Sequence, residues 1–259
     1  MYGRKVWRFL NSNEYEFSYA GNYGAKGEKR QDKKKPTPEQ VKRQNQINKE
    51  NRIRRLIKAN FLPSDLWVTL KYAKGTRKAI GGVKADMRKF LDRLRRRYKR
   101  QDDMLKFIYR IEIGKRGGVH IHILVNRTKT GKGADILITE CWPHPGTHFT
   151  PIYEQGGYKE LADYIAKPPP EEQADNEEAD KTCCYSTSRN LVRPQPEKKE
   201  YKRRTVRKLI GQIKRGELAK VAAKGFYIDP GSIQIGINRF TGMSYLRYTE
   251  NRIKEIRSG

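Results

Sequence analysis

The stretch Ile111-Glu112-Ile113-Gly114-Lys115-Arg116-Gly117-Gly118-Val119-His120-Ile121-His122-Ile123-Leu124-Val125 decides how the middle of this chain folds. Alternate side chains of a strand share a face, so Val119, Ile121, Ile123 and Val125 point one way and His120, His122 and Leu124 the other. Just before it, Phe107, Tyr109, Ile111 and Ile113 make a matching apolar row, opposite Ile108, Arg110 and Glu112. Both apolar rows must meet the same helical layer. With residues 114–118 as the loop, Ile113 then opposes Val119 and Glu112 opposes His120. A slip of one residue would bury Glu112 and His120 in the core. The pattern therefore predicts two imidazoles and a carboxylate on the polar face of an antiparallel pair.

Outward from this pair the hydrophobic period alternates between two and 3.6 residues. Residues 66–72 read as a strand and 83–98 as a helix, whose stripe of Met87, Phe90, Leu91 and Leu94 is a core face. A short helix over 134–142, a strand over 147–153 and a helix over 159–167 follow, the last ended by Pro168-Pro169-Pro170. This order predicts an α+β fold: an antiparallel sheet of about five strands with helices packed on one face. Upstream, residues 15–19 suggest a strand, and Thr37-Pro38-Glu39-Gln40 is a helix start. The helix it opens runs to about residue 59 and is strongly basic, with apolar positions only at Val41, Ile47, Ile53, Leu56 and Ile57. Downstream, residues 171–180 hold six acidic side chains and no basic one, an exposed insertion. A second basic helix over 205–214 and a hairpin-like pair, 233–237 and 243–248, complete the chain. Four regions result: a basic N-terminal extension (1–60), a main domain (61–168), an acidic flexible insertion (169–182) and a basic C-terminal region (183–259).

Fifty-seven Lys and Arg face 29 Asp and Glu, a formal net charge of +28. Such self-repulsion points to a polyanionic partner. The 15 Tyr and 8 Phe favour nucleic acid over lipid, because aromatic rings stack on unpaired bases. No apolar run reaches the ~18 residues of a membrane span, and the first ten residues lack the apolar core of a signal peptide. Three cysteines, two of them adjacent at Cys183 and Cys184, are too few for a disulfide framework. Together these predict a cytoplasmic protein. The chain has no Gly-x-x-x-x-Gly-Lys-Ser/Thr motif, hence no P-loop helicase domain.

Glu112, His120 and His122 offer nitrogen and oxygen donors without thiolate, a set that suits Mn²⁺ or Mg²⁺ better than structural zinc. Such an ion would polarise a phosphate as a Lewis acid. A nucleophile is offered by Asp163-Tyr164-Ile165-Ala166-Lys167, where Tyr164 and Lys167 share a helix face. A phenol attacks poorly until its proton is removed or its anion stabilised, and the Lys167 charge can assist. Arg52, Arg54 and Arg55 on the first basic helix, with Arg110, Lys115 and Arg116 around the histidine hairpin, are expected at DNA. Two weaker constellations exist: Cys141, His144 and His148 have zinc-like spacing without a fourth ligand, and Tyr158 is a remote second nucleophile.

His120-Ile121-His122 resembles the His-hydrophobic-His motif of the HUH endonucleases, and Tyr164-Ile165-Ala166-Lys167 resembles their Tyr-x-x-Lys nucleophile motif. Glu112 is placed like the third metal ligand of single-tyrosine initiators, and Trp67-Val68-Thr69-Leu70-Lys71-Tyr72 is similar to their first-strand motif. The closest likeness is to rolling-circle initiators (Rep proteins) of bacterial plasmids and filamentous phages, over about residues 66–167. The resemblance implies a five-stranded antiparallel sheet, Mn²⁺ or Mg²⁺, and a 5′-phosphotyrosine formed on single-stranded DNA at an origin hairpin or stem-loop. It also implies a free 3′-OH, and a host helicase and polymerase as partners. A mobilisation relaxase or a transposase shares this chemistry. A non-catalytic basic nucleic-acid binder, with structural histidines, is the alternative from another class.

Overall fold

Strand β4 (Phe107–Ile113) pairs antiparallel with β5 (Val119–Val125) in the register expected, Ile113 opposite Val119 and Glu112 opposite His120. The computed structural model describes residues 1–20, 36–114, 118–153, 155–168, 185–238 and 242–253. Lys115, Arg116 and the acidic run 171–180 lie outside them. The described chain divides into two compact units, residues 38–193 and residues 1–37 with 194–259.

The unit of residues 38–193 is built on a five-stranded antiparallel sheet in the order β6-β3-β5-β4-β7. Its remaining strands are β3 (Leu66–Lys71), β6 (Thr147–Pro151) and β7 (Tyr185–Thr187). One face carries Val68, Leu70, Ile111, Ile121 and Ile123, all buried against α2 (Ile80–Arg100) and α3 (Ala134–Cys141). The stripe Met87, Phe90, Leu91 and Leu94 is the α2 side of that core. The α+β class and the sheet size agree with the sequence; the expectation that helices cover one face needs correction. Helices α1 (Pro38–Asn60) and α4 (Lys159–Ala166) pack on the second face, where Ile53, Leu56, Ile57, Ala162, Ile165 and Ala166 bury Ile108 and Leu124. The basic N-terminal helix escaped this assignment because its apolar residues crowd into its last two turns, too few to read as a core stripe. The fifth strand also differs from both sequence candidates. It is β7, three residues long, paired with β4 from Ile108 to Arg110.

The other unit joins the two ends of the chain. Strands β1 (Tyr2–Arg8) and β2 (Ser12–Tyr19) combine with β8 (Glu197–Tyr201), β9 (Phe226–Ile228), β10 (Gln234–Ile237) and β11 (Ser244–Arg252) in one six-stranded sheet. The regions read as separate N- and C-terminal extensions are thus strand partners, β2 lying between β1 and β11. Helix α5 (Arg203–Lys214) buries Val206, Ile210 and Ile213 against Tyr2, Val6, Tyr15, Phe17, Leu246 and Tyr248. Glu250, 1 % exposed, accepts hydrogen bonds from Asn13 Nδ2 (3.4 Å) and the Ala223 amide (3.1 Å), which offsets the desolvation of its charge.

Ile121 is fully buried between β3 and β4 beneath α2. Ile121→Ala should therefore destabilise this unit by about 2–5 kcal/mol, read as a lower urea midpoint. A change under ~1 kcal/mol would contradict the assigned face.

Candidate active site

The second face of the five-stranded sheet is organised in rows across the strands. Register places Thr150, Trp67, Leu124 and Ile108 in one row, then His148, Thr69, His122 and Arg110, then Lys71, His120 and Glu112. The first row is apolar apart from Thr150, and α1 and α4 cover its Leu124 and Ile108. The third row is polar, with Lys71 exposed and Glu112 and His120 half-buried. His122, 9 % exposed, stands at the boundary.

Helix α4 brings Tyr164 to that boundary. Its hydroxyl lies 2.6 Å from Glu112 Oε2 and 2.9 Å from His122 Nε2, while those two atoms are 3.3 Å apart. The phenol has one proton to donate. Given to the carboxylate at the shorter distance, it leaves His122 Nε2–H donating to the phenol oxygen and the Thr69 hydroxyl donating to His122 Nδ1 at 3.2 Å. Trp67 stacks on the His122 ring, 5.7 Å between centroids and 12° between planes, and meets Tyr164 edge-on. Thr69 and Trp67 are functional neighbours that the motif reading left without a role. Their signal was present, since both share a face of β3 and register puts Thr69 beside His122.

Charge states follow from this packing. Burial pushes the Tyr164 hydroxyl above its ordinary pKa, and the hydrogen bond and charge of Glu112 push it further, while Arg110 pulls it down. Burial alone would raise the Glu112 carboxyl, but the Tyr164 hydrogen bond and the charges of His122, Arg110 and Lys167 reverse this, and the net shift is downward. Burial keeps His122 below the usual imidazole range, against the opposing pull of Glu112. The arrangement is a protonated phenol held by an ionised carboxylate.

Arg110 takes a different place from the DNA contact expected of it. It is 2 % exposed, and its Nη1 donates to the carbonyls of Tyr164 (3.2 Å), Ile165 (3.1 Å) and Lys167. These are C-terminal carbonyls that a helix cannot satisfy itself, and a cation there also complements the helix dipole. Arg110 is thus a clamp that sets where α4 ends. Lys167 closes the helix, exposed, and Asp163 pairs with Lys159 at 2.5 Å rather than with Lys167. Tyr158, the alternative nucleophile, is 4 % exposed in the core with α1, its backbone left-handed beside Gly157. On α1, Arg52 is exposed and Arg54 and Arg55 are half-buried.

Among the described residues no group of three His, Cys, Asp or Glu side chains is arranged as a metal cluster. Glu112 and His122 converge, but the His120 ring stands 6.3 Å from that of His122. The two converging donors do fit a hard cation: two bonds of ~2.1 Å at right angles separate their donor atoms by about 3 Å. Thr69 on Nδ1 supplies the contact that orients a ligating imidazole. The zinc-like spacing gathers nothing, because Cys141 faces the α2 core, His144 lies 3.8 Å from Asp86, and His148 stands on the opposite sheet face.

A buried Tyr–His–Glu centre on an antiparallel α+β sheet defines the class of site. Residues 65–169, under half of the chain, match the family described as replication-associated protein, ORF2 type, and that segment is similar to it. It contains Trp67, Thr69, Arg110, Glu112, both histidines, Tyr164 and Lys167. No curated protein and no solved structure gives a significant match. No helix among the described residues is long and apolar enough to cross a membrane.

Replacing Arg110 by Met leaves buried carbonyls unpaired at about 1–3 kcal/mol each. The variant should lose on the order of 3 kcal/mol of stability, with faster amide exchange in α4. Unchanged stability with weaker DNA binding would restore the surface role.

Proposed function

We propose that this chain is a replication initiator that nicks and rejoins single-stranded DNA through Tyr164. The observation that carries the reading is the convergence of the Tyr164 hydroxyl, Glu112 and His122 within 3.3 Å, inside a segment similar to a replication-associated family. A purely structural tyrosine has no need of a carboxylate and an imidazole on one hydroxyl at the open edge of a core.

The Tyr164 oxygen attacks the scissile phosphorus, the bond from phosphorus to the 3′ oxygen breaks, and that oxygen leaves as a 3′-OH after taking up a proton. The DNA 5′ phosphate stays esterified to the phenol. This ester retains the diester's bond energy, so the reverse step rejoins strands without ATP. Glu112 holds the hydroxyl proton before attack, and His122 orients the oxygen through Nε2. Trp67 keeps the His122 ring in its plane, and Arg110 fixes α4. A divalent Mn²⁺ or Mg²⁺ held by Glu112 and His122, with His120 as third donor, would supply Lewis-acid polarisation of the phosphate and offset the carboxylate charge that keeps the phenol protonated. Lys167, exposed at the end of α4, is suited to the phosphate charge. Arg52, with Arg54 and Arg55, gives α1 a basic side for the strand, and Lys115 and Arg116 are proposed beside the histidine hairpin. The setting is rolling-circle replication in a bacterial cytoplasm, with unwinding and synthesis left to host enzymes.

Oligonucleotides labelled on either side of the nick test this chemistry. Only the downstream fragment should migrate with denatured protein, and Tyr164→Phe should abolish that adduct while preserving DNA binding. His122→Ala and Glu112→Ala should each slow cleavage by at least about 100-fold, the scale of a lost general acid–base group. A free 5′-phosphate and no adduct would make water the nucleophile and sink the proposal. Separately, Arg52→Ala should reduce the salt slope of single-strand binding by about 0.7; an unchanged slope would leave α1 as a roof over α4 alone.

A further inference from the structure

Helix α5 lies outside the segment similar to the replication-associated family, and the chemistry above makes no use of it. Its apolar side, Val206, Ile210 and Ile213, is buried in the six-stranded sheet unit. At 100° per residue, the opposite side gathers Arg203, Arg204, Arg207, Lys208, Lys214 and Arg215 into an arc of roughly 140°. All six are exposed, and no acidic side chain occurs in the helix. Among the described residues only Arg215 has an ion-pair partner, Glu217 at 2.8 Å. Gly211 sits at the centre of the arc, where a Cβ would come within 3.3 Å of Arg215 Nη1. Glycine inside a helix costs about 1 kcal/mol relative to alanine, and here it leaves the basic surface without a protruding side chain.

We infer that α5 is a second nucleic-acid site, specific for double-stranded DNA and laid in the major groove. Four physical arguments select that partner. Six unopposed cations on one helix face match a phosphate-lined groove. The arc carries no aromatic side chain, and binding of unpaired bases relies on stacking. The B-form major groove, about 12 Å wide, admits an α-helix, whereas the deep, narrow A-form groove of RNA does not. An anionic membrane would be held by an inserted apolar face, but that face of α5 is spent on the core. The site stands independently of the nicking chemistry, and gives the chain a grip on duplex DNA that no residue around Tyr164 provides.

The test uses the full-length chain with a 20-base-pair DNA duplex, a single strand of equal length and an RNA duplex, followed by fluorescence anisotropy across salt. The variant carrying Arg203→Ala, Arg204→Ala, Arg207→Ala and Lys208→Ala should bind the DNA duplex at least about tenfold more weakly. Its salt slope should fall by about 0.9 for each lost contact, while adduct formation on a single strand stays at the parental level. Should that variant unfold, Arg204→Gln with Lys208→Gln makes the same comparison with two smaller changes at exposed positions. Tyr164→Phe should bind the duplex like the parent, which separates this site from the nicking reading. Parental duplex affinity and slope in the α5 variants would overturn the inference. So would equal affinity for the RNA duplex, or α5-dependent binding to phosphatidylglycerol vesicles without α5-dependent binding to duplex DNA.

Discussion

The β4–β5 register governs the catalytic unit. Because strand side chains alternate, one pairing decides which of two neighbouring residues meets α2 and which meets α1 and α4. With Ile113 opposite Val119, four apolar residues of each strand enter one core, and Glu112, His120, Arg110 and His122 are left on the second face. That face is not simply open. Its apolar end is roofed and its polar end is free, so His122 falls where solvent exclusion begins. Arg110 then ties the roof to the sheet through the α4 carbonyls. A single buried cation thereby converts a sheet register into the position of a phenol oxygen.

The same geometry sets the electrostatics. Removing water from Tyr164 and placing an ionised carboxylate on its hydroxyl both favour the neutral phenol. The centre is therefore quiescent as it stands, and any process that neutralises Glu112 favours loss of the phenol proton. Arg110 works in the opposite direction from Glu112 on that proton, so the residue that places the helix also moderates the barrier to ionisation.

The excess of basic residues has several physical roles. Arg110 is structural, Lys71 lies exposed on the polar row, and α1 presents Arg52 on one side while packing Ile53 and Ile57 on the other. In the sheet formed by the chain ends, α5 divides the same way, an apolar arc in the core and a cationic arc outside. Net charge alone distinguishes none of these; burial and partners do.

Local pattern determined a great deal here. The period-two rows of 107–113 and 119–125 set the β4–β5 pairing, the 3.6-residue stripe of α2 identified its buried side, and proline marked the end of α4. The spacing of Glu112, His120, His122 and Tyr164 was legible because short-range alternation specifies which side chains share a face. Other features depended on contacts distant in sequence. β7 is three residues long and β8 is charged, so neither has a periodic signature, and both exist only because β4 and β1 offer an edge to pair with. The roof of α1 on α4 and the pairing of the two chain ends join segments more than a hundred residues apart. Arg110 shows the difference most clearly: its polar-face position followed from alternation alone, but only the folded chain brings the end of α4 to its guanidinium, and desolvation together with three carbonyl acceptors makes it a clamp instead of a DNA contact.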